Sequence, residues 1–537
     1  MKEKAKSFGR SAVLLAAVGI IAKLIGALYR VPLTNIVGAE GMGLYQMVFP
    51  LYTVLLAFCG GGITGAVSRV VAKYTALGND GTALRAARVA LIPPSVVAAI
   101  AVAAIALLRN VISGVQGNAD AGIAYLALCP SLLFAGGISV IRGYFQGKSH
   151  MLPSGISQLI EQVIKLGLGL YLGRALLPYG VKYAVCGALI GVTASEFAAL
   201  IYLVVRFAVV KRKRTMYVRR AALLAETSAE FSVTGAVSDR ALLKELYSFA
   251  LPVTLGALVL PVTQMIDSVL VINLLIYGGS SRVDATALFG LFVGPVGTLV
   301  NMPTVVVLSV AVAFLPAVTR AVECGGDAAR LTRTAAKWIM LFVIPVTLVF
   351  LAFPDRVCGT LYRRGLTAEQ LSVAAHILRV QAVGVFYVGV LQLCTTVMQG
   401  HNRAHRPVIN LVVGACVKVA LTPLFVRLFG ITGAACATTA CYAVAATLTA
   451  RSAYKCMPIG ASVKDAALVP LAFSMLAGGA FVLVLWLLSG AGLPYLWETV
   501  IAAAAFAVVY IAGITACGTL RIKKAGRRVR EKSERAK

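Results

Sequence analysis

Charge is what this sequence has least of. Only 13% of its 537 residues are Asp, Glu, Lys or Arg, against 59% hydrophobic, and the mean hydropathy is +0.88. That shortage excludes a soluble globular chain of ordinary composition and points to a polytopic membrane protein. Acidic residues are scarcer still: 20 Asp and Glu stand against 50 Lys and Arg, a formal net charge of +30. In a soluble chain such an excess suggests nucleic acid. Here the basic residues lie between apolar runs, as cytoplasmic loop residues do, so no nucleic-acid partner is expected. Lys211-Arg212-Lys213-Arg214 reads the same way.

Catalytic signatures are lacking too. There is no Walker loop, no DxxD cluster, no HExxH and no GxSxG with a partner histidine. No catalytic residue, cofactor or metal site is therefore expected, and the chain does not read as an enzyme. The 11 cysteines are scattered singly without CxxC pairs, which fits small packing residues in helices. His401 and His405 flank Arg403 in a short loop and read as solvated rather than metal-bound. The glycines of Gly38-Ala39-Glu40-Gly41-Met42-Gly43 read as an outer-loop turn. Lys2, Lys4, Lys6 and Arg10 before an apolar run imitate a signal peptide. The run continues through Lys23 into a helix of spanning length, so no cleavage is expected.

Apolar windows of about 20 residues fall near 11–34, 44–70, 87–108, 121–142, 155–177, 183–206, 249–276, 286–315, 335–353, 373–399, 408–428, 431–450, 466–489 and 495–518. They predict an all-α membrane protein with about 14 transmembrane helices. With the N-terminus inside, 37 basic residues fall on the inner side, Arg142 and Lys148 among them. Eight fall outside: Arg109, Arg174, Lys182, Arg282, Arg356, Arg363, Arg364 and Arg427. That asymmetry predicts cytoplasmic termini.

The longest break runs from Lys211 through Ser238. It divides the chain into an N-terminal lobe (1–210), a basic cytoplasmic linker (211–240), a C-terminal lobe (241–452), two added helices (453–519) and a basic tail (520–537). The six-helix lobes share a pattern. Gln146-Gly147-Lys148, then Pro153 and Lys165, can be laid over Gln399-Gly400-His401, then Pro407 and Lys418, with one residue of slippage at the proline. Six spans separate equivalent points, so the halves have the same orientation and are related by an axis along the membrane normal, with substrate between them.

Few charges sit inside the spans. Lys23, Gly26 and Arg30 fall on one helical stripe, because seven residues are nearly two turns. A charge at the bilayer centre costs roughly 2.5 to 3.5 kcal/mol on insertion scales and normally persists because a cavity or partner receives it. Glu161 and Lys165 are four apart in the order that favours an intrahelical ion pair, which serves a structural or a functional role equally. Lys23, Arg30 and Lys418 lack an acidic neighbour at helical spacing and are expected to face a central cavity. Glu196 and Asp267 are either counter-ions or sites for a coupling cation or proton. Gly60-Gly61-Gly62, Pro252, Pro261, Gly294-Pro295, Gly297 and Pro303 mark bends that serve either as hinges or as close packing points.

The runs KLIGALYRVPLTNIVGAEGMGLYQMVFPLY, GGITGAVSRVVAKY, RGYFQGKSHMLPSGISQLIEQVIK and MQGHNRAHRPVINLVVGACVK resemble the stage V sporulation protein B family of polysaccharide transporters. That family lies in the multidrug, oligosaccharidyl-lipid and polysaccharide exporter superfamily, beside the MurJ-type lipid II flippases. The resemblance implies a multi-pass protein of the cytoplasmic membrane, two pseudo-symmetric six-helix lobes in a V, two C-terminal helices, and a role in cell-wall or spore-cortex peptidoglycan synthesis. Lys23, Gly26 and Arg30 match its K-x-x-G-x-x-x-R pattern, whose arginine faces the cavity in the flippases. The sequence departs from those flippases in having no arginine before Gly60 in helix two and none from Leu288 to Leu315. Lys165 and Lys418 are the candidates to supply that charge.

The leading expectation is alternating-access transport of an undecaprenyl-diphosphate-linked saccharide, lipid II first. Lys23, Arg30, Lys165 and Lys418 would bind it, and Glu161, Glu196 and Asp267 would serve coupling or charge balance. A diphosphate needs compensating cations in a low-dielectric cavity. Two other functions remain: a cation-coupled multidrug exporter of the same fold, which favours acidic and aromatic residues, and a non-transporting scaffold for cell-wall synthesis proteins.

Overall fold

The computed structural model describes residues 2–224, 237–457, 467–490 and 493–517. The linker residues 225–236, Lys464 and the 520–537 tail lie outside them. Among the described residues there are helices and no strand, as hydrocarbon requires of a non-barrel span, since a helix satisfies its backbone groups within one segment. The helices are α1 (Lys2–Leu56), α2 (Ile63–Ala76), α3 (Asp80–Val89), α4 (Ile92–Val115), α5 (Ala121–Leu128), α6 (Pro130–Gly147), α7 (Met151–Leu176), α8 (Val181–Leu224), α9 (Asp239–Ala257) and α10 (Val259–Tyr277). There follow α11 (Arg282–Leu291), α12 (Gly297–Glu323), α13 (Ala328–Ala352), α14 (Pro354–Tyr362), α15 (Ala368–Gly400), α16 (His405–Phe429), α17 (Ile431–Cys456), α18 (Val469–Leu488) and α19 (Tyr495–Ala516).

Twelve helical runs among the described residues are long and apolar enough to cross a membrane; the expected count of fourteen is not reproduced. The physical reasons are local. The first two windows stand on either side of Gly38 in one continuous helical run, Ile21–Ala76, which counts once. The 155–177 window, α7, is not among the twelve, and Gln158, Glu161, Gln162 and Lys165 make its middle polar. As a straight rod α1 would be about 80 Å long, well beyond a hydrocarbon core of about 30 Å. It is broken at Gly38, where φ is 69° and ψ −169°, a conformation open to glycine and costly for other residues. Wide π turns at Ala57–Gly61 and Phe292–Val296 fall at the expected Gly60-Gly61 and Gly294-Pro295 bends.

The chain forms two compact units that interleave in sequence. The first comprises residues 1–305, 362–377 and 411–441, and the second 306–361, 378–410 and 442–537. In the first, α1 packs along α7, and α7 along α8. A core of Val67, Val70 and Val71 from α2, Ala83 and Ala86 from α3, Tyr144 from α6 and Leu242 and Leu246 from α9 is buried. Ion pairs Lys73–Glu245 and Arg85–Asp239, both at 2.7 Å, lie on the same helices. Close approach at Gly62 lets its N–H donate to Thr254 Oγ1 at 3.1 Å. In the second unit Val397, Met398 and Ala453 centre a small core, and α18 packs against α13 and α19.

Candidate functional site

The first unit holds a cavity of about 470 Å³, within the range of small-molecule sites. Its wall is built on the stripe of α1. Lys23, Gly26 and Arg30 line it, with Tyr29, Tyr45 and Phe49 of the same helix. The Arg30 guanidinium carbon lies 5.9 Å from the centre of the Phe49 ring, a cation–π geometry that holds the fork over the cavity. α7 contributes Gln158, Glu161, Gln162 and Lys165. Their spacing of three, four and seven residues places them on one helical face. α6 adds Arg142, and α12 adds Thr298, Asn301 and Val305.

The expected Glu161–Lys165 pair within α7 does not form. Glu161 Oε2 instead accepts from Arg142 at 2.9 Å, while Arg142 Nε donates to Ser157 Oγ at 2.8 Å. A guanidinium offers several donors in a plane and can engage two acceptors on α7 at once, which an ammonium on the same helix cannot match. Lys165 reaches α1, where its Nζ lies 5.7 Å from the centre of the Tyr29 ring. Arg142 itself is a correction: expected on a cytoplasmic loop, it lies inside α6 and lines the cavity. The window 121–142 ended on it, and hydropathy alone cannot tell a helix-end loop charge from an inward one.

Four cations, Lys23, Arg30, Arg142 and Lys165, thus share the cavity wall with one carboxylate, Glu161. The formal balance is 4 − 1 = +3. No acidic group stands within ion-pair distance of Lys23, Arg30 or Lys165 among the described residues. Amides from Gln158, Gln162 and Asn301 complete a polar lining. Sequence reasoning passed over these amides, although the spacing of Gln158, Gln162 and Lys165 carried the signal.

The remaining expected residues lie elsewhere. Glu196 of α8 is buried behind this wall, with Glu161, Arg142 and Lys165 as its charged neighbours. The Tyr52 hydroxyl donates to its Oε1, and its Oε2 has no hydrogen-bond partner. Lys418 of α16 does not line this cavity. Its ammonium donates to Asp267 Oδ2 of α10, and both side chains are more than nine-tenths buried.

Comparison with known proteins places this architecture. The family described as polysaccharide biosynthesis protein matches residues 8–322. Stage V sporulation protein B of Bacillus subtilis (strain 168) is 28% identical over 472 residues, covering 86% of each chain. The lipid II flippase MurJ of the same organism is 25% identical over 440 residues, 78% of this chain and 77% of that one. Among solved structures, the lipid II flippase MurJ in an inward closed conformation aligns with a TM-score of 0.69 at 14% identity, over 94% of this chain and 98% of that chain. An inward-facing MATE family multidrug resistance transporter aligns at 0.63 and 14% identity, over 81% and 94%. At such identities these two structures show a shared fold. The chain is a multi-pass, all-α membrane protein of that fold.

Proposed function

Because the chain belongs to the polysaccharide biosynthesis protein family, we propose that it is an alternating-access flippase of the cell membrane. Its substrate is an undecaprenyl-diphosphate-linked saccharide, lipid II in the first place, moved for peptidoglycan of the wall or spore cortex without enzymatic chemistry. The observation that carries this is the balance of +3 on a cavity wall formed by four cations and one carboxylate. In a medium of low dielectric such cations hold a diphosphate strongly. Lys23, Arg30 and Lys165 are the binding residues; Arg142, held by Glu161, shapes the wall beside them, and Lys418, engaged by Asp267, is left out of this set. A multidrug exporter of organic cations would have to load its cargo against the same charge. Everted vesicles test the choice: they should move a labelled undecaprenyl-diphosphate saccharide between leaflets and fail to accumulate a lipophilic dye cation. Dye accumulation without lipid movement would reverse the assignment.

In the proposed topology both termini are cytoplasmic, and the halves 1–210 and 241–452 carry the alternating motion. The basic-residue asymmetry supports it, at 36 inside against eight outside once Arg142 is set in its helix. In a background freed of its own cysteines, an impermeant maleimide applied outside should label Ser281→Cys and spare the exposed Ser149→Cys until the membrane is opened. The opposite pattern would invert the topology.

Coupling is assigned to Glu196, whose second oxygen is buried and unpartnered. A carboxylate in that state calls for a proton or cation. Glu196→Gln should flatten the dependence of transport on the ion gradient at unchanged protein level. An unaltered dependence removes Glu196 from coupling.

A further inference from the structure

The cavity accounts for none of the cations at one end of the second unit. There Val397 and Met398 near the end of α15 pack with Ala453 of α17, Ala328 of α13 and Ala321 and Val322 of α12. A methyl group added at Gly400 would meet Val318 Cγ1 at 2.8 Å, and Arg403 Nη1 donates to Cys456 Sγ at 3.2 Å. Four helix ends therefore converge, and each brings charge. Arg320 lies near the end of α12, and Arg330, Arg333 and Lys337 in the first turns of α13. The chain leaving α15 adds Arg403 and Arg406, and the end of α17 adds Arg451 and Lys455. The acidic residues on these stretches are Glu323 and Asp327, a formal balance of 8 − 2 = +6. Asp327 is occupied in capping α13, where its Oδ1 accepts from the Arg330 N–H at 2.8 Å. Among the described residues no carboxylate lies within ion-pair distance of the eight cations. In the first unit, by contrast, Lys73, Arg85 and Lys148 each meet a carboxylate of another helix.

Two exposed aromatic residues stand among these charges. Trp338 follows Lys337 and is 38% exposed; Tyr454, between Arg451 and Lys455, is 65% exposed. Outward-facing tryptophan and tyrosine sit at headgroup level in a bilayer, which puts the patch at the depth of lipid phosphates. Trp486 marks the opposite end of the unit: Phe353, just past the far end of α13, lies 4.4 Å from the Phe481 ring of α18, five residues before Trp486. We propose that the converging basic end of the second unit is a binding surface for anionic phospholipid, on the leaflet that the topology above makes cytoplasmic. Arginine forks from different helices suit a phosphate with several free oxygens, and juxtamembrane clusters of this size attract anionic lipid. An acidic protein segment would match the charge but gives no reason for aromatic rings at headgroup depth. The inference needs the membrane-spanning fold and not the flippase reading, because none of the eight cations lines the cavity.

The test uses the full-length chain with Trp486→Phe and Trp497→Phe, which leaves Trp338 as its one tryptophan. It is reconstituted in phosphatidylcholine vesicles containing either brominated phosphatidylglycerol or brominated phosphatidylcholine, whose bromines quench a tryptophan they touch. Quenching of Trp338 should favour phosphatidylglycerol by about fivefold or more, the effect of one cation near an anionic surface. Arg330→Gln, Arg333→Gln and Arg451→Gln together should bring the preference to within about twofold of none, and high salt should do the same to the unsubstituted patch. A chain that keeps Trp486 alone should show no preference. Equal quenching of Trp338 by both lipids overturns the surface and leaves an acidic protein as its partner. The same preference at Trp486 also overturns it, since the attraction then belongs to the whole chain, and so does a preference that survives the three substitutions. If the triple variant does not insert, the salt dependence decides: a preference unmoved by salt overturns the proposal.

Discussion

Arg30→Ala should bring lipid translocation to the level of empty vesicles while the protein still inserts at normal abundance. Arg30 lies half-buried on the cavity wall beside Phe49, without an acidic partner among the described residues. Its fork is therefore available for a phosphate, and removing it deletes a charge-assisted, two-pronged contact. Arg30→Lys should recover only part of the rate, because an ammonium restores the charge and not the planar geometry. If Arg30 merely reached the headgroup region, alanine would be nearly silent and lysine a full substitute. Initial rates at matched protein levels separate the two, and wild-type rates in the alanine variant would end the cavity assignment.

The second large effect concerns stability. Asp267→Leu leaves the Lys418 ammonium buried without its partner, and breaking a buried ion pair from one side costs about 3–5 kcal/mol. The single variant should lose most of its thermal stability in detergent. Asp267→Leu with Lys418→Met, which removes both charges and keeps side-chain volume, should recover most of it, since an apolar replacement of a buried pair is often neutral. A fully stable single variant, or a double variant no better than the single, would contradict the pairing.

Much of this architecture was legible in the residues. Long apolar runs force helices in hydrocarbon, and the seven-residue spacing of Lys23 and Arg30 placed both on one face before any contact was known. What stayed hidden depends on which helices touch. Glu161 has a favourable partner four residues on, yet its carboxylate is taken by Arg142, 19 residues earlier on another helix. Asp267 and Lys418 are 151 residues apart, and no periodicity joins them. Arg142 ends an apolar window, where hydropathy reads every basic residue as a loop. Gln158, Gln162 and Asn301 are neutral, so they announce no partner until a cavity gathers them. The windows 11–34 and 44–70 stand on either side of Gly38, where one torsion breaks α1, so two expected spans lie in one helical run.

We propose that the cation-lined cavity carries a lipid diphosphate. Proteoliposomes containing the purified chain should be loaded with two labelled lipids bearing the same saccharide, one on undecaprenyl diphosphate and one on an uncharged polyprenyl glycoside. The diphosphate lipid should cross far faster than in protein-free vesicles while the neutral lipid stays at the protein-free rate. Equal transport of both lipids, or of neither, would contradict it.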